Sequence, residues 1–160
     1  MRRYEERAIE PAVIDRLKEA MLRSPSSRAI RPWRFVFVTD GAKLAQLSHA
    51  KSQYGEFLAK ASLGVVVCAD ESASDAWVED CSIAATILQI SAAGLSLGSC
   101  WIQIRGRDHG DGTSAEAFVS GLLDLPEGWR VECIVAVGYP AEEKPAHERD
   151  RLKWEAVTEA

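Results

Sequence analysis

The chain has 160 residues, a net charge of -5 and a pI near 5.3, which suits one domain, 1-160, able to bury about 70% of its unfolded surface without disulfide or metal support. The acid excess argues against nucleic acid or an anionic membrane surface as partner, because both demand clustered Lys and Arg. No apolar run reaches the roughly 18 to 20 residues of a membrane span and no charged-then-apolar leader opens the sequence, so a soluble, cytoplasmic protein is expected.

Pro11 fits a first helical turn, and Val13, Ile14, Leu17, Met21 and Leu22 recur at helical spacing through Arg23. Pro25 cannot continue that helix, and Pro32 pushes Ile30 and Arg31 toward extended geometry. Ser26, Ser27 and Arg28 therefore lie on a short, stiffened loop that offers hydroxyls, backbone N–H groups and a guanidinium to a ligand. Trp33 leads into a strand over Arg34–Val38. Asp40-Gly41 marks a turn, Leu44 and Leu47 suggest a short helix, and Phe57 and Leu58 a further helical turn beyond the polar stretch Ser52–Gly55. Leu63–Ala69 is an unbroken apolar run and reads as a central strand.

Asp75–Leu95 is the longest helical candidate and is apolar nearly all round, which suits a core helix or one that also contributes to a dimer interface. Gly94 and Gly98 end it, and Ser99–Ile104 predicts the next strand. Arg105–Thr113, with three glycines, reads as a mobile surface loop; it is not a P-loop, because no Gly-Lys-Ser/Thr follows. Thr113 or Ser114 caps a helix running to Leu123, Pro126-Glu127-Gly128 turns the chain, and Val131–Val137 is the last strand before a polar tail.

Cys68, Cys81, Cys100 and Cys133 are widely spaced in apolar surroundings and read as buried, reduced thiols. His49, His109 and His147 are as scattered, so a metal site is not expected. There is no Gly-x-Ser-x-Gly elbow, no His-Glu-x-x-His and no Gly-x-Gly-x-x-Gly after the first strand. An enzyme with so few catalytic side chains needs a borrowed reactive group, which the protein binds and orients. Glu79 and Asp80 sit about 100° apart on a helix and read as ordinary first-turn charge. Cys100 has no basic neighbour in sequence to make it a thiolate.

The segment Ser24–Phe35 resembles the Pro-Ser-Ser…Pro-Trp stretch of the FMN-dependent nitroreductase family, and Gly94–Gln103 resembles that family's Gly-Leu-Gly-Ser-Cys-Trp-Ile stretch, in the same order along the chain. The resemblance, nearest the family's short, single-domain branch, implies an α+β domain with a mixed, mostly antiparallel sheet flanked by helices, assembled as a homodimer with FMN at the subunit interface. It also implies NAD(P)H as electron donor and a nitro compound, quinone or similar small electrophile as acceptor, in a ping-pong cycle. A flavin-binding storage or sensory protein without turnover is the alternative.

Carried over residue by residue, the resemblance places Pro25, Ser26, Ser27 and Arg28 at the flavin ring and ribityl chain, and Trp101, Ile102 and Gln103 along the ring. It places Arg2, Arg149 and Arg151 at the phosphate, where a guanidinium fork can bond two oxygens. If the tail is extended, Arg149 and Arg151 point the same way; if it is helical they diverge and only one reaches the phosphate. The sequence departs from the family at its start, where only Arg2 and Tyr4 match the opening basic-aromatic motif, and at Ala29, where Asn is common.

Overall fold

The computed structural model describes residues 1–159. Helices and strands alternate along it: α1 (Pro11–Leu22), β1 (Trp33–Val38), α2 (Gly41–Leu47), β2 (Leu63–Asp70), α3 (Trp77–Gly94), β3 (Gly98–Gln103), α4 (Ala115–Leu122) and β4 (Trp129–Gly138). Short 3-10 turns occupy Glu56–Lys60, Arg149–Arg151 and Trp154–Ala156, and another, Ser27–Ala29, lies in the loop after α1.

Local chemistry sets these boundaries. Pro11 opens α1, where its missing N–H costs nothing. Asp40 caps α2 by accepting from the Lys43 N–H, and Ser114 rather than Thr113 caps α4 by accepting from the Ala117 N–H. α3 begins two residues later than expected. The segment before it is spent in turns, with Ala73 N–H donating to Asp70 O and Ala76 N–H to Ser74 Oγ.

The sheet order is β1-β2-β4-β3, and every pairing among the described residues is antiparallel. The expected mixed sheet is thus corrected. β2 and β3, joined through α3, do run parallel, since both oppose β4; but β4 enters between them, so no parallel neighbours pair.

β2 and the middle of β4 are buried on both faces, which is why Leu63–Ala69 carries no polar alternation. One face packs Val65, Val67, Val135 and Val137 against Leu17, Met21, Cys81 and Leu88 of α1 and α3. The other packs Val66, Ile102 and Ile134 against Leu44, Leu47, Leu58 and Val119. Each fully buried Leu contributes about 1.5–3 kcal/mol by leaving water. Among the described residues no helix is long and apolar enough to cross a membrane.

Candidate functional site

The loop from Arg23 to Pro32 is folded tightly against the start of α3. Ser27 donates its backbone N–H to Asp80 Oδ1 at 2.7 Å, Arg31 N–H donates to Ser26 Oγ at 2.8 Å, and the Arg28 guanidinium donates to Asp75. Arg28, Ala29 and Arg31 hold φ values of 51°, 55° and 55°. Left-handed backbone at a non-glycine residue costs about 1–2 kcal/mol, so three in four positions mark a shape maintained by its anchors. Ser26 and Ser27 are half-buried, while Pro25 and Arg28 are exposed. Ser24 Oγ, Trp33 Nε1 and Asp80 Oδ2 are buried here without a hydrogen-bond partner.

β3 carries the second group of candidates and divides them between its faces. Trp101 points to the α1–α3 side, whereas Ile102 is buried on the opposite face among Leu and Val side chains. Ile102 therefore offers a ligand its backbone and not its side chain. The Gln103 amide is already engaged: its Oε1 accepts from Trp101 Nε1 at 2.9 Å, and its Nε2 donates to Arg105 O at 3.1 Å.

Beside Gln103 lies a cavity of about 480 Å³ walled by Lys51, Tyr54, Gly106, Arg107 and Asp108. Two loops distant in sequence make it, joined by the Ser52 N–H donating to Asp108 O at 3.1 Å. Burial, with Arg107 and then Arg2 nearby, pushes the Lys51 ammonium below its usual range, against the pull of Glu56. Two cations, Lys51 and Arg107, thus line one opening beside Asp108, with Arg2 close enough to Lys51 to add to the positive field. Arg2 is further tied by its backbone N–H to Glu142 at 2.6 Å, and its guanidinium sits 5.8 Å from the Phe57 ring centre.

Lys51 and Arg107 were not foreseen, because they lie in stretches legible only as polar loop. The one hint was two arginines among the glycines of Arg105–Thr113. Arg149 and Arg151 fall on a 3-10 turn and diverge, Arg149 over Trp154 at 4.6 Å and Arg151 pairing with Glu148 at 3.1 Å. No hydrogen bond or ion pair among the described residues joins them to the other candidates. Arg105, whose carbonyl accepts from the Gln103 amide, reaches the start of α3 with its guanidinium 5.8 Å from the Trp77 ring centre.

A second opening, about 560 Å³, lies along β1 among Leu22, Trp33, Phe35, Phe37 and Trp129, with Lys18 and Arg34 also in its wall. It is mostly apolar. The two openings offer different chemistry, one cationic and amide-lined, the other aromatic. The cationic cavity has the volume of a small-molecule site, and its donor set suits a ligand carrying ring carbonyls or a phosphate, as FMN does.

Of the four thiols, Cys68, Cys81 and Cys133 are buried and Cys100 is half-buried. Burial pushes the Cys68 thiol up to about 11 and raises the other two buried thiols as well. None of these three is a nucleophile at neutral pH. No cluster of His, Cys, Asp and Glu suited to a metal ion occurs among the described residues.

The model of the nitroreductase family matches residues 1–55 and 49–139. A solved protein of Clostridium difficile R20291, titled an FMN-dependent nitroreductase, superposes with a TM-score of 0.96 at 39% identity, over 99% of this chain and 92% of that one. A protein of Archaeoglobus fulgidus named "Putative NADH dehydrogenase/NAD(P)H nitroreductase" is 34% identical over 154 residues, 94% of this chain and 85% of the relative. A protein of Rhodospirillum rubrum named 5,6-dimethylbenzimidazole synthase is 25% identical over 179 residues, 98% of this chain and 84% of the relative.

Proposed function

The chain belongs to the nitroreductase family, and from that premise we propose that it is a cytoplasmic FMN-dependent oxidoreductase, drawing electrons from NAD(P)H and passing them to a nitro compound, quinone or similar small electrophile. The observation that carries the reading is the likeness, along almost the whole chain, to a protein titled an FMN-dependent nitroreductase. The cationic cavity beside Gln103 supports it independently.

In this reading 1–160 acts as a single domain. Lys51, Arg107 and Arg2 compensate negative charge on the cofactor, the β3 backbone at Trp101–Gln103 approaches the ring, and Pro25, Ser26, Ser27 and Arg28 shape its other side. Bound FMN supplies reversible hydride and electron transfer. The protein's part is to orient the ring and exclude water, so it needs no nucleophile of its own. Arg149 and Arg151 remain the proposed grip on the phosphate, with the exposed tail delivering them to the site in the assembled protein.

A homodimer belongs to the same proposal. Ile83, Ile90 and Leu22 are exposed on α3 and α1, and the aromatic groove along β1 is uncovered. Apolar surface of this kind is what an isologous interface covers.

The test is the visible spectrum of the purified protein followed by anaerobic reduction with NADH or NADPH and reoxidation by a nitroaromatic or quinone. A flavin spectrum bleached by the nucleotide and restored by the acceptor is expected. A flavin that neither nucleotide reduces would make the protein a binder without turnover.

A further inference from the structure

The pairing of β2 with β4 slips by one residue: Val67 faces Cys133 and Cys68 faces Val131, leaving Glu132 without a partner on β2. Such a bulge turns a side chain that alternation would send to the other face. Here the Glu132 side chain is buried, the residue being 4% exposed, and its charge is felt by the thiols of Cys81 on α3 and of Cys133. The carbonyl of Glu132 closes the end of β3 by accepting from the N–H groups of Ile104 and Arg105 at 3.2 and 3.1 Å.

Glu132 Oε2 accepts no hydrogen bond, the half-exposed Arg105 lying 3.7 Å from it. Glu132 Oε1 receives only a long bond, 3.5 Å, from Gln103 Nε2. That nitrogen has two hydrogens and faces three acceptors: Arg105 O at 3.1 Å, Glu132 O at 3.3 Å and the Glu132 carboxyl. Gln103 Oε1 in turn holds the Trp101 indole. The carboxyl is therefore the weakest held of the three acceptors, and what binds it to the Gln103 amide is the charge on its oxygen rather than close geometry. Burial raises the proton affinity of Glu132, Glu116 of α4 and Glu79 of α3 reinforce it, and the Gln103 bond and Arg105 oppose it.

We infer that Glu132 is a positioning residue for the cavity, and that uptake of one proton by its carboxyl loosens its hold on the Gln103 amide and, through it, on Trp101. The ionised carboxyl makes a charge-assisted bond and the neutral acid a weaker one. Ligand affinity at the cavity is accordingly higher above the titration of Glu132 than below it. The inference rests on the flavin reading only for the identity of the probe.

Two measurements test it in the full-length protein. Riboflavin, which has no titrating phosphate, should bind about three- to tenfold tighter at pH 8 than at pH 5, with Glu132→Gln fixed at the weaker affinity throughout. Gln103→Ala should abolish the dependence, and adding Glu132→Gln should then change nothing further. Without ligand, the side-chain amide nitrogen signal of Gln103 should move with pH in the wild type and stay still in Glu132→Gln. Arg105→Gln, which removes the opposing cation, should carry the midpoint of that movement to higher pH. A signal that is flat in the wild type, or that moves equally in Glu132→Gln, overturns the inference. Movement that depends on Glu132, in a protein that binds no riboflavin at any pH, upholds the network and overturns the flavin assignment alone.

Discussion

Ser27 donates its backbone N–H to the buried Asp80 Oδ1 at 2.7 Å across 53 positions of sequence. This bond joins the loop after α1 to the first turn of α3, and it holds a backbone that enters the left-handed region at three non-glycine residues. Asp80 is 2% exposed. Its removal strands a partly buried donor, so Asp80→Ala should lose about 1–3 kcal/mol in urea unfolding, while Asp80→Asn, which keeps the acceptor, should lose less. Equal losses in the two variants would mean that the bond to Ser27 is not what stabilises the loop.

Ala29 stands at φ 55° in the same loop. Asn visits that region far more readily than Ala, so Ala29→Asn should raise stability by about 1 kcal/mol. A drop in the urea midpoint would show that the loop changes shape in solution.

Lys51 faces the cavity beside Arg107 with its ammonium pushed below the usual range by burial. A hydrogen bond to a charged group contributes about 1.5–3 kcal/mol, so Lys51→Met should weaken flavin about ten- to a hundredfold. Titration with FMN and riboflavin side by side locates the contact. Loss for both places Lys51 at the ring, loss for FMN alone places it at the phosphate, and loss for neither removes it from the site. The double variant Arg149→Ala, Arg151→Ala should weaken FMN and leave riboflavin unchanged.

Cys100 is the thiol that iodoacetamide should modify first in the native protein at pH 8, since the other three are buried and held protonated. Mass spectrometry after native and denatured labelling would count one modified thiol against four. Cys100→Ser should keep turnover within about tenfold, because the flavin carries the redox step.

Ile90 is 68% exposed on α3. Ile90→Asp should convert the proposed homodimer to monomer in light scattering and release flavin with it. A variant that stays dimeric with flavin bound would move the interface away from this face.

The sequence by itself determined the order of elements and the family. Proline, capping and the unbroken apolar run of β2 are local signals, and they placed α1, β1, α2, β2, α3, β3, α4 and β4 to within a few residues. The two segments that carry the family resemblance, around Ser26 and around Trp101, were legible because each is a contiguous run of residues and the two keep the family's order along the chain.

The tertiary structure alone decided what pairs with what. Strand order depends on contacts between residues far apart, so the entry of β4 between β2 and β3 left no mark in either strand. The bulge that buries Glu132 is a mismatch between two strands and exists in neither one. The cationic cavity has the same origin, because Lys51 and Arg107 become neighbours only when Ser52 and Asp108 join two polar loops. Each loop alone is indistinguishable from a solvated turn, and the charge density that could hold an anionic ligand arises from their convergence.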